Sequence, residues 1–333
     1  MGVTVIGGSG SGGGGGLPPV DATIYLGRES ATVTIDDAVF LRSGHIETNT
    51  ALYPDATPQG PNLILSSFLQ SFSVTNEEAN PTGVFFKPDG TKMYIVGYSG
   101  DEVNEYDLST AWDINTASSN TPFSIAGQDT TPQDIFFKPD GTKMYIIGGL
   151  GDDVNEYNLS TAWDISTASY VQNFSVAAQD ASPTGIFFKP DGTKMYIVGG
   201  GGDAVNEYNL STAWDISTSV HSKEFYIGSQ ETLPTSISFN SDGLKMYVVG
   251  RSFFGAAYEY NLSTAWDIST AYFRQQFSVT KQTTFPQGVF FKPDGTKMYV
   301  LGGSVHEYDV PTNYVGLATA VFEAEANQYI RVA

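Results

Sequence analysis

A chain of 333 residues that is 41% hydrophobic and 13% aromatic can bury a sizeable core, and its 19 Tyr and 21 Phe favour strands over helices. The formal charge of -20 argues against a nucleic-acid partner, because neutralising phosphates needs clustered Lys and Arg. The absence of cysteine excludes disulfides, thiol nucleophiles and thiolate metal centres. No stretch of eighteen apolar residues and no basic-then-apolar leader is present, so neither membrane insertion nor secretion is expected.

In chain order, residues 1–62 are predicted to form a Gly-rich arm and a small β anchoring module. Positions 7–16 are nearly all Gly and Ser and read as flexible. Short strand-like runs at 22–26, 31–35 and 38–42 have counterparts near the other end at 318–324 and 329–332. The segment 313–333 is therefore expected to pack with the N-terminal module. An unattached strand at 68–74 comes next, followed by five copies of one unit within a domain spanning 63–312.

The copies are marked by Lys-Met-Tyr at Lys92, Lys143, Lys194, Lys245 and Lys297, offsets of 51, 51, 51 and 52 residues. Each copy opens with a proline (Pro81, Pro132, Pro183, Pro234, Pro286) and a first strand, a, such as 83–87. A tight turn follows. It reads Lys-Pro-Asp-Gly in four copies and Asn-Ser-Asp-Gly at Asn240 to Gly243 in the other; Pro presets φ and Gly supplies positive φ. Strand b (92–97 and equivalents) is apolar on both faces, as in a sheet sandwiched between sheets. After a Gly-rich loop comes strand c (103–108), then Ser-Thr-Ala-Trp-Asp-Ile with the four tryptophans Trp112, Trp163, Trp214 and Trp266. Strand d centres on Phe123, Phe174, Phe225 or Phe277.

The fifth copy stops after strand c at Tyr308, while the strand it lacks stands alone at 68–74 ahead of the first copy. If that early strand completes the last unit, the ring closes and no sheet edge is left open at the joint. The predicted fold is all-β: a five-bladed β-propeller with four-stranded blades, closed by an N-terminal strand.

Three resemblances attach to these motifs. The Pro-Asp-Gly-Thr-Lys-Met-Tyr-Ile-Val hairpin resembles the repeats of lactonase-like propellers, and the Gly-Gly of strand b followed by Tyr and Trp is similar to kelch repeats. In the kelch comparison Gly97 and Gly250 lack the second Gly, and the fifth copy has no Trp. Residues 68–309, with the recurring Asn-Glu-Tyr-Asn-Leu-Ser-Thr-Ala-Trp-Asp-Ile-Ser-Thr-Ala, resemble propeller proteins of marine tailed bacteriophages. That resemblance implies a virion protein, a fibre, spike or decoration knob. Its terminal module would contact other virion proteins, and its ring a host-surface glycan or receptor. A homo-oligomer, guessed as a trimer, goes with that role.

Because the strands alternate in direction, d-to-a and b-to-c loops share one face and a-to-b and c-to-d loops the other. Nine lysines (Lys87, Lys92, Lys138, Lys143, Lys189, Lys194, Lys245, Lys292, Lys297) fall at a-to-b turns. The opposite face collects Glu77, Glu78, Asp101, Glu102, Asp129, Asp152, Asp153, Asp180, Asp203 and Glu231, so an electrically polarised ring is expected. The ligand-binding candidates are Glu77, Glu78, Asp101, Glu102, Asp152, Asp153 and Asp203, joined by Phe253, Phe254 and Phe285 from the most divergent loops. Gly-Asp in the b-to-c loops is read as turn chemistry, with no metal site and no cofactor expected. The four tryptophans are read as packing and the three histidines as surface or edge residues. The reading is a non-enzymatic virion protein, with a lectin-like propeller and a lactonase-like or hydrolytic enzyme as the alternatives.

Overall fold

The structure, a computed structural model, describes residues 63–311 except Phe253 and Phe254, and the backbone of five strands outside that span. Contacts divide the chain into two compact units, residues 61–311 and the two ends, 1–60 with 312–333. In the unit of the ends, Thr4–Ile6, Asp21–Leu26 and Glu29–Thr34 form an antiparallel three-stranded sheet, and Val39–Arg42 pairs with Tyr329–Val332. Four of those five strands fall on predicted runs, and Thr4–Ile6 falls on none. The runs at 7–16 and 318–324 lie outside the described residues.

Residues 63–311 form five antiparallel sheets of the predicted order a-b-c-d. Strands a are Pro81–Phe86, Pro132–Phe137, Pro183–Phe188, Pro234–Phe239 and Gly288–Phe291 in blades 1 to 5. Strands b are Lys92–Gly97, Lys143–Gly148, Lys194–Gly199, Lys245–Gly250 and Lys297–Leu301, and strands c are Glu102–Leu108, Asp153–Leu159, Ala204–Leu210, Ala256–Leu262 and Ser304–Asp309. Each strand a lies against those of the two neighbouring blades, and that of blade 5 lies against that of blade 1. The ring is closed.

Blade 5 is completed by Ser67–Ser73, which pairs antiparallel with its strand c in the register Ser304 to Ser73, Val305 to Phe72 and Tyr308 to Phe68. The N-terminal segment supplies more than that strand. In blades 1 to 4 a short 3-10 turn precedes strand d, capped by Asp113, Asp164, Asp215 or Asp267, with Ile114, Ile165, Ile216 or Ile268 buried in it. Leu63–Leu65 is the corresponding turn of blade 5, with Leu63 buried where the others bury Ile.

Strands d are otherwise Ala168–Ser175, Ser219–Tyr226 and Ala271–Ser278, while that of blade 1 is split into Ala117–Ser119 and Phe123–Ser124. Pro122, which has no N–H to donate, lies in the split. The other four d strands carry a register shift opposite the same point of strand c. A bulge on the outermost strand twists an edge that is otherwise open to pairing with another chain.

Neighbouring blades are joined by aromatic side chains of strands a and b and by the tryptophans. Tyr94, Tyr145, Tyr196 and Tyr299 donate their hydroxyls to the carbonyls of Trp163, Trp214, Trp266 and Trp112 of the next blade, at 2.7 to 2.9 Å. The last of these bonds spans blades 5 and 1. Each indole stacks near a Phe of its own strand a and one of the preceding blade, as Trp163 does with Phe137 and Phe85. The tryptophans are packing residues. They sit at φ of 64 to 67°, and the glycine of the a-to-b turn lies beneath each ring. At Gly141 (φ +74°) a Cβ would stand 2.4 Å from the Trp163 indole, so neither conformation nor space admits another residue.

Candidate ligand-binding face

Each blade buries one strand-c glutamate against the lysine that starts strand b. The pairs are Lys92 with Glu105, Lys143 with Glu156, Lys194 with Glu207, Lys245 with Glu259 and Lys297 with Glu307. The remaining turn lysines, Lys87, Lys138, Lys189 and Lys292, each pair with the aspartate of their own turn at 2.7 to 2.8 Å. All nine lysines of the a-to-b turns are thus neutralised locally. This corrects the expected polarisation: that face does not owe a positive field to them, because every one is held against a carboxylate.

On the opposite face a second set of acids is buried in the d-to-a loops: Glu78, Asp129, Asp180 and Glu231. Their work is to tie loops together through backbone amides. Glu78 Oε1 accepts from Asn80 N at 2.8 Å and Ser99 N at 3.0 Å, and Glu231 Oε1 from Leu233 N at 2.7 Å and Ser252 N at 2.9 Å. Each carboxylate sits over the last glycine of strand b; a Cβ on Gly97 would meet Glu78 Cδ at 2.5 Å. Blade 5 has Thr283 there, over Gly302, and a shorter b-to-c loop.

Asp101, Asp152 and Asp203 occupy the left-handed region at φ of 49, 46 and 50°. Their carbonyls accept from Ile125, Val176 and Ile227 at 2.8 Å. Blade 4 uses Gly255, φ +72°, for the same bond to Val279. A glycine stands in the aspartate's place in blade 4 with the turn retained, because both residues tolerate the left-handed region.

The axis carries the residue that sequence reasoning missed. The third residue counted from each opening proline reads Gly83, Asp134, Gly185, Ser236 and Gly288 around the ring. Space there is tight: a Cβ on Gly83 would stand 2.6 Å from Asp134 Cα, and one on Gly185 2.7 Å from Ser236 Cα. Asp134 is buried, and its Oδ1 accepts from Ile135 N at 2.9 Å. Its Oδ2 accepts from Ser236 Oγ at 3.0 Å and from Ile186 N at 3.3 Å, joining blades 2, 3 and 4. Burial pushes this carboxyl up to about 8, against the pull of those three donors. It therefore titrates well above the ordinary carboxylate range. Two positions further along strand a, Phe85 packs edge-on with Phe136 and Phe290 at 5.2 to 5.3 Å, and Phe136 with Phe187 at 5.2 Å. Ser238 stands in the fifth place of that collar.

The structure brings several of the predicted site residues together. At the boundary of blades 5 and 1, Glu77 lies 3.4 Å from the Tyr106 hydroxyl, and the Glu102 carboxyl is raised, first by burial and then by the charge of Glu78. Asp180 is raised by burial and then by Asp152 and Asp203, while Asp153 accepts from Asn155 and Asn173. Glu78 and Asp153 are buried, and Glu77, Asp101, Glu102, Asp152 and Asp203 are partly exposed. Phe285 is 64% exposed; Phe253 and Phe254 lie outside the described residues.

More exposed residues join this face at two positions where the copies differ. The residue before the opening proline is Asn80, Thr131, Ser182, Leu233 or Phe285, and the residue after the last glycine of strand b is Tyr98, Gly149, Gly200, Arg251 or Gly303. Leu233 and Phe285 are exposed, as is Leu150 beside Gly149. Tyr98 donates its hydroxyl to Gln133 at 2.7 Å, and the charge of Arg251 reaches it. Of the histidines, His45 lies outside the described residues. His306 is not a surface residue: it is buried in strand c of blade 5 near Phe68, and burial lowers its pKa.

No family model and no curated protein matches the chain. Among solved structures it is similar to a periplasmic gluconolactonase of Pseudomonas aeruginosa, at 15% identity and a TM-score of 0.42, over 66% of this chain and 62% of that one. It is similar also to a 6-phosphogluconolactonase candidate of Bacteroides uniformis, at 13% identity and a TM-score of 0.45, over 90% and 88%. A nidogen/laminin complex has 13% identity and a TM-score of 0.44, over 66% and 71%. Likeness at this level assigns no substrate and no residue. Two of these structures carry lactonase names, so the expectation of a non-enzyme draws no support from them.

Proposed function

We propose that the chain is a virion component of a tailed phage, and that its propeller presents the face of b-to-c and d-to-a loops to a glycan or receptor on the host surface. One observation carries the binding face. Residues repeated from blade to blade are consumed in holding the ring, through the Lys–Glu pairs of all five blades and the tyrosine-to-tryptophan bonds and buried loop carboxylates of four. The residues that differ between blades, Tyr98, Leu150, Leu233, Arg251 and Phe285, gather on one face and are accessible there. Exposed aromatic and aliphatic side chains among carboxylates and an arginine are the materials of a polar-ligand site, in which rings cover apolar sugar faces and charged groups take hydroxyls. Support for the virion comes from the resemblance of residues 68–309 to phage propellers. Multiple copies on a particle would let weak single contacts add up.

The full-length protein, screened on a glycan array and on host cells, should bind, and Phe285→Ala with Tyr98→Ala should abolish binding while leaving the melting temperature within a few degrees. Mass spectrometry of purified particles should find the chain. Its absence from particles would remove the virion assignment, and turnover of lactones by the purified protein would replace the binding reading with an enzymatic one.

A further inference from the structure

The two sets of buried acids differ in how their charge is met. Every strand-c glutamate has its lysine, whereas among the described residues no cationic side chain pairs with Glu78, Asp129, Asp180 or Glu231. In Glu78, Asp180 and Glu231 one oxygen takes two amides and the other, Oε2, Oδ2 and Oε2, is buried without a donor. A buried carboxyl oxygen left without a partner is costly, so something from outside the chain is expected to meet it.

The sheet beneath supplies a second unmet group. Gly97 faces Glu102 across the ladder and Ile95 faces Asn104, so Gly97 and Asn104 lie on the one face that Glu78 covers. Asn104 is 3% exposed and its Nδ2 has no partner. Blade 3 repeats the arrangement: Asp180 covers Gly199, and Asn206, 0% exposed, has neither amide atom partnered. The other blades have filled the position. Asn155 of blade 2 is bonded to Asp153 at 2.8 Å, and blade 4 places the Tyr258 phenol beside Glu231.

We propose that the sites beneath Glu78 in blade 1 and Asp180 in blade 3 each bind a partly hydrated calcium ion, with the free carboxylate oxygen and the amide oxygen of Asn104 or Asn206 as its protein ligands. Calcium takes several oxygens in flexible geometry, and a terminal amide offers its oxygen by turning over. Among the described residues no three carboxylates or histidines converge as a ready-made cage. Water therefore fills the rest of the shell, and the affinity belongs in the millimolar range of sparsely ligated sites. The inference is independent of the host-binding reading.

The test uses the full chain, stripped with chelator and titrated with calcium, with sodium and magnesium chloride at matched ionic strength beside it. Calcium should raise the melting temperature by a few degrees, saturably and beyond either comparator. Glu78→Gln with Asp180→Asn should remove the response. If that protein does not fold, Asn104→Leu with Asn206→Leu, which leaves the loop-tying carboxylates in place, should weaken it at least tenfold. A shift equal to that of matched sodium chloride, or a full response in the asparagine variant, overturns the proposal and leaves a bridging water as the occupant.

Discussion

Blades 3 and 5 perform the same task with different covalent arrangements. Blade 3 is one continuous stretch in which turn, strands and outer ribbon follow in order. Blade 5 takes its 3-10 turn and strand d from before blade 1 and the rest from the far end of the ring. The non-covalent bonds at the two places are nonetheless alike. Tyr299 reaches Trp112 across the seam at 2.9 Å as Tyr196 reaches Trp266 at 2.8 Å, and Phe72 meets Tyr106 edge-on at 5.8 Å as Phe225 meets Tyr260 at 5.6 Å. In these contacts the seam differs in topology and not in chemistry, so its vulnerability there should be entropic.

Removing the seam should have the largest effect. A chain that begins at Thr75 lacks Leu63 and the closing strand and exposes the strand-c edge of blade 5, and we expect it to aggregate without a cooperative melt. A synthetic peptide of residues 61–75 added in trans should restore the transition; failure of that rescue would show that the seam needs its covalent link.

Next comes the axis, where blade 3 contributes the Ile186 amide to Asp134 and blade 5 only Gly288. The carboxyl is raised from 3.8 unfolded to about 8 folded. Between those values the folded state holds a proton that the unfolded state has lost. This group therefore contributes stability that is full below pH 4 and is lost as pH rises through 8, at most about 6 kcal/mol over the window. Asp134→Asn should flatten that decline, read as denaturation midpoints at pH 5 and pH 8. A variant with the slope of the parent would show that the group titrates normally.

The ion pairs give a smaller and more discriminating contrast. Lys194→Met strands Glu207, fully buried, and should cost about 3 kcal/mol. Lys297→Met should cost less, by about 1 kcal/mol, because Glu307 also accepts from Gln70 of the closing strand. Paired urea titrations measure both, and equal costs would deny the closing strand that role. Tyr196→Phe and Tyr299→Phe should be the mildest, each about 1 kcal/mol and equal within error. A larger loss at Tyr299 would make the seam chemically special after all.

Much of this ring could be read from spacing. Offsets of 51 and 52 residues fixed the number of blades, and the stray strand ahead of the first copy identified the closure, because a strand missing at one end and surplus at the other has one economical explanation. The 3-10 turn carried with it was missed, since Leu63 substitutes for Ile and the tryptophan that marks the other copies is absent from that segment. The lysines misled for a related reason. Lys143 and Glu156 are far apart in sequence and meet only through the b-to-c register, so counting charges by loop placed a field where there are pairs. Asp134 was visible as a departure between copies, but nothing in a strand's pattern says which of its positions points at the axis.

The closing register has a mechanical consequence. Ser67 pairs with Asp309, so the ring is entered and left at the same end of one antiparallel ladder. Tension applied between those two points would open the rungs one after another, as a zipper, instead of shearing them together. The closed ring thus has a direction in which a modest pull unbuttons it.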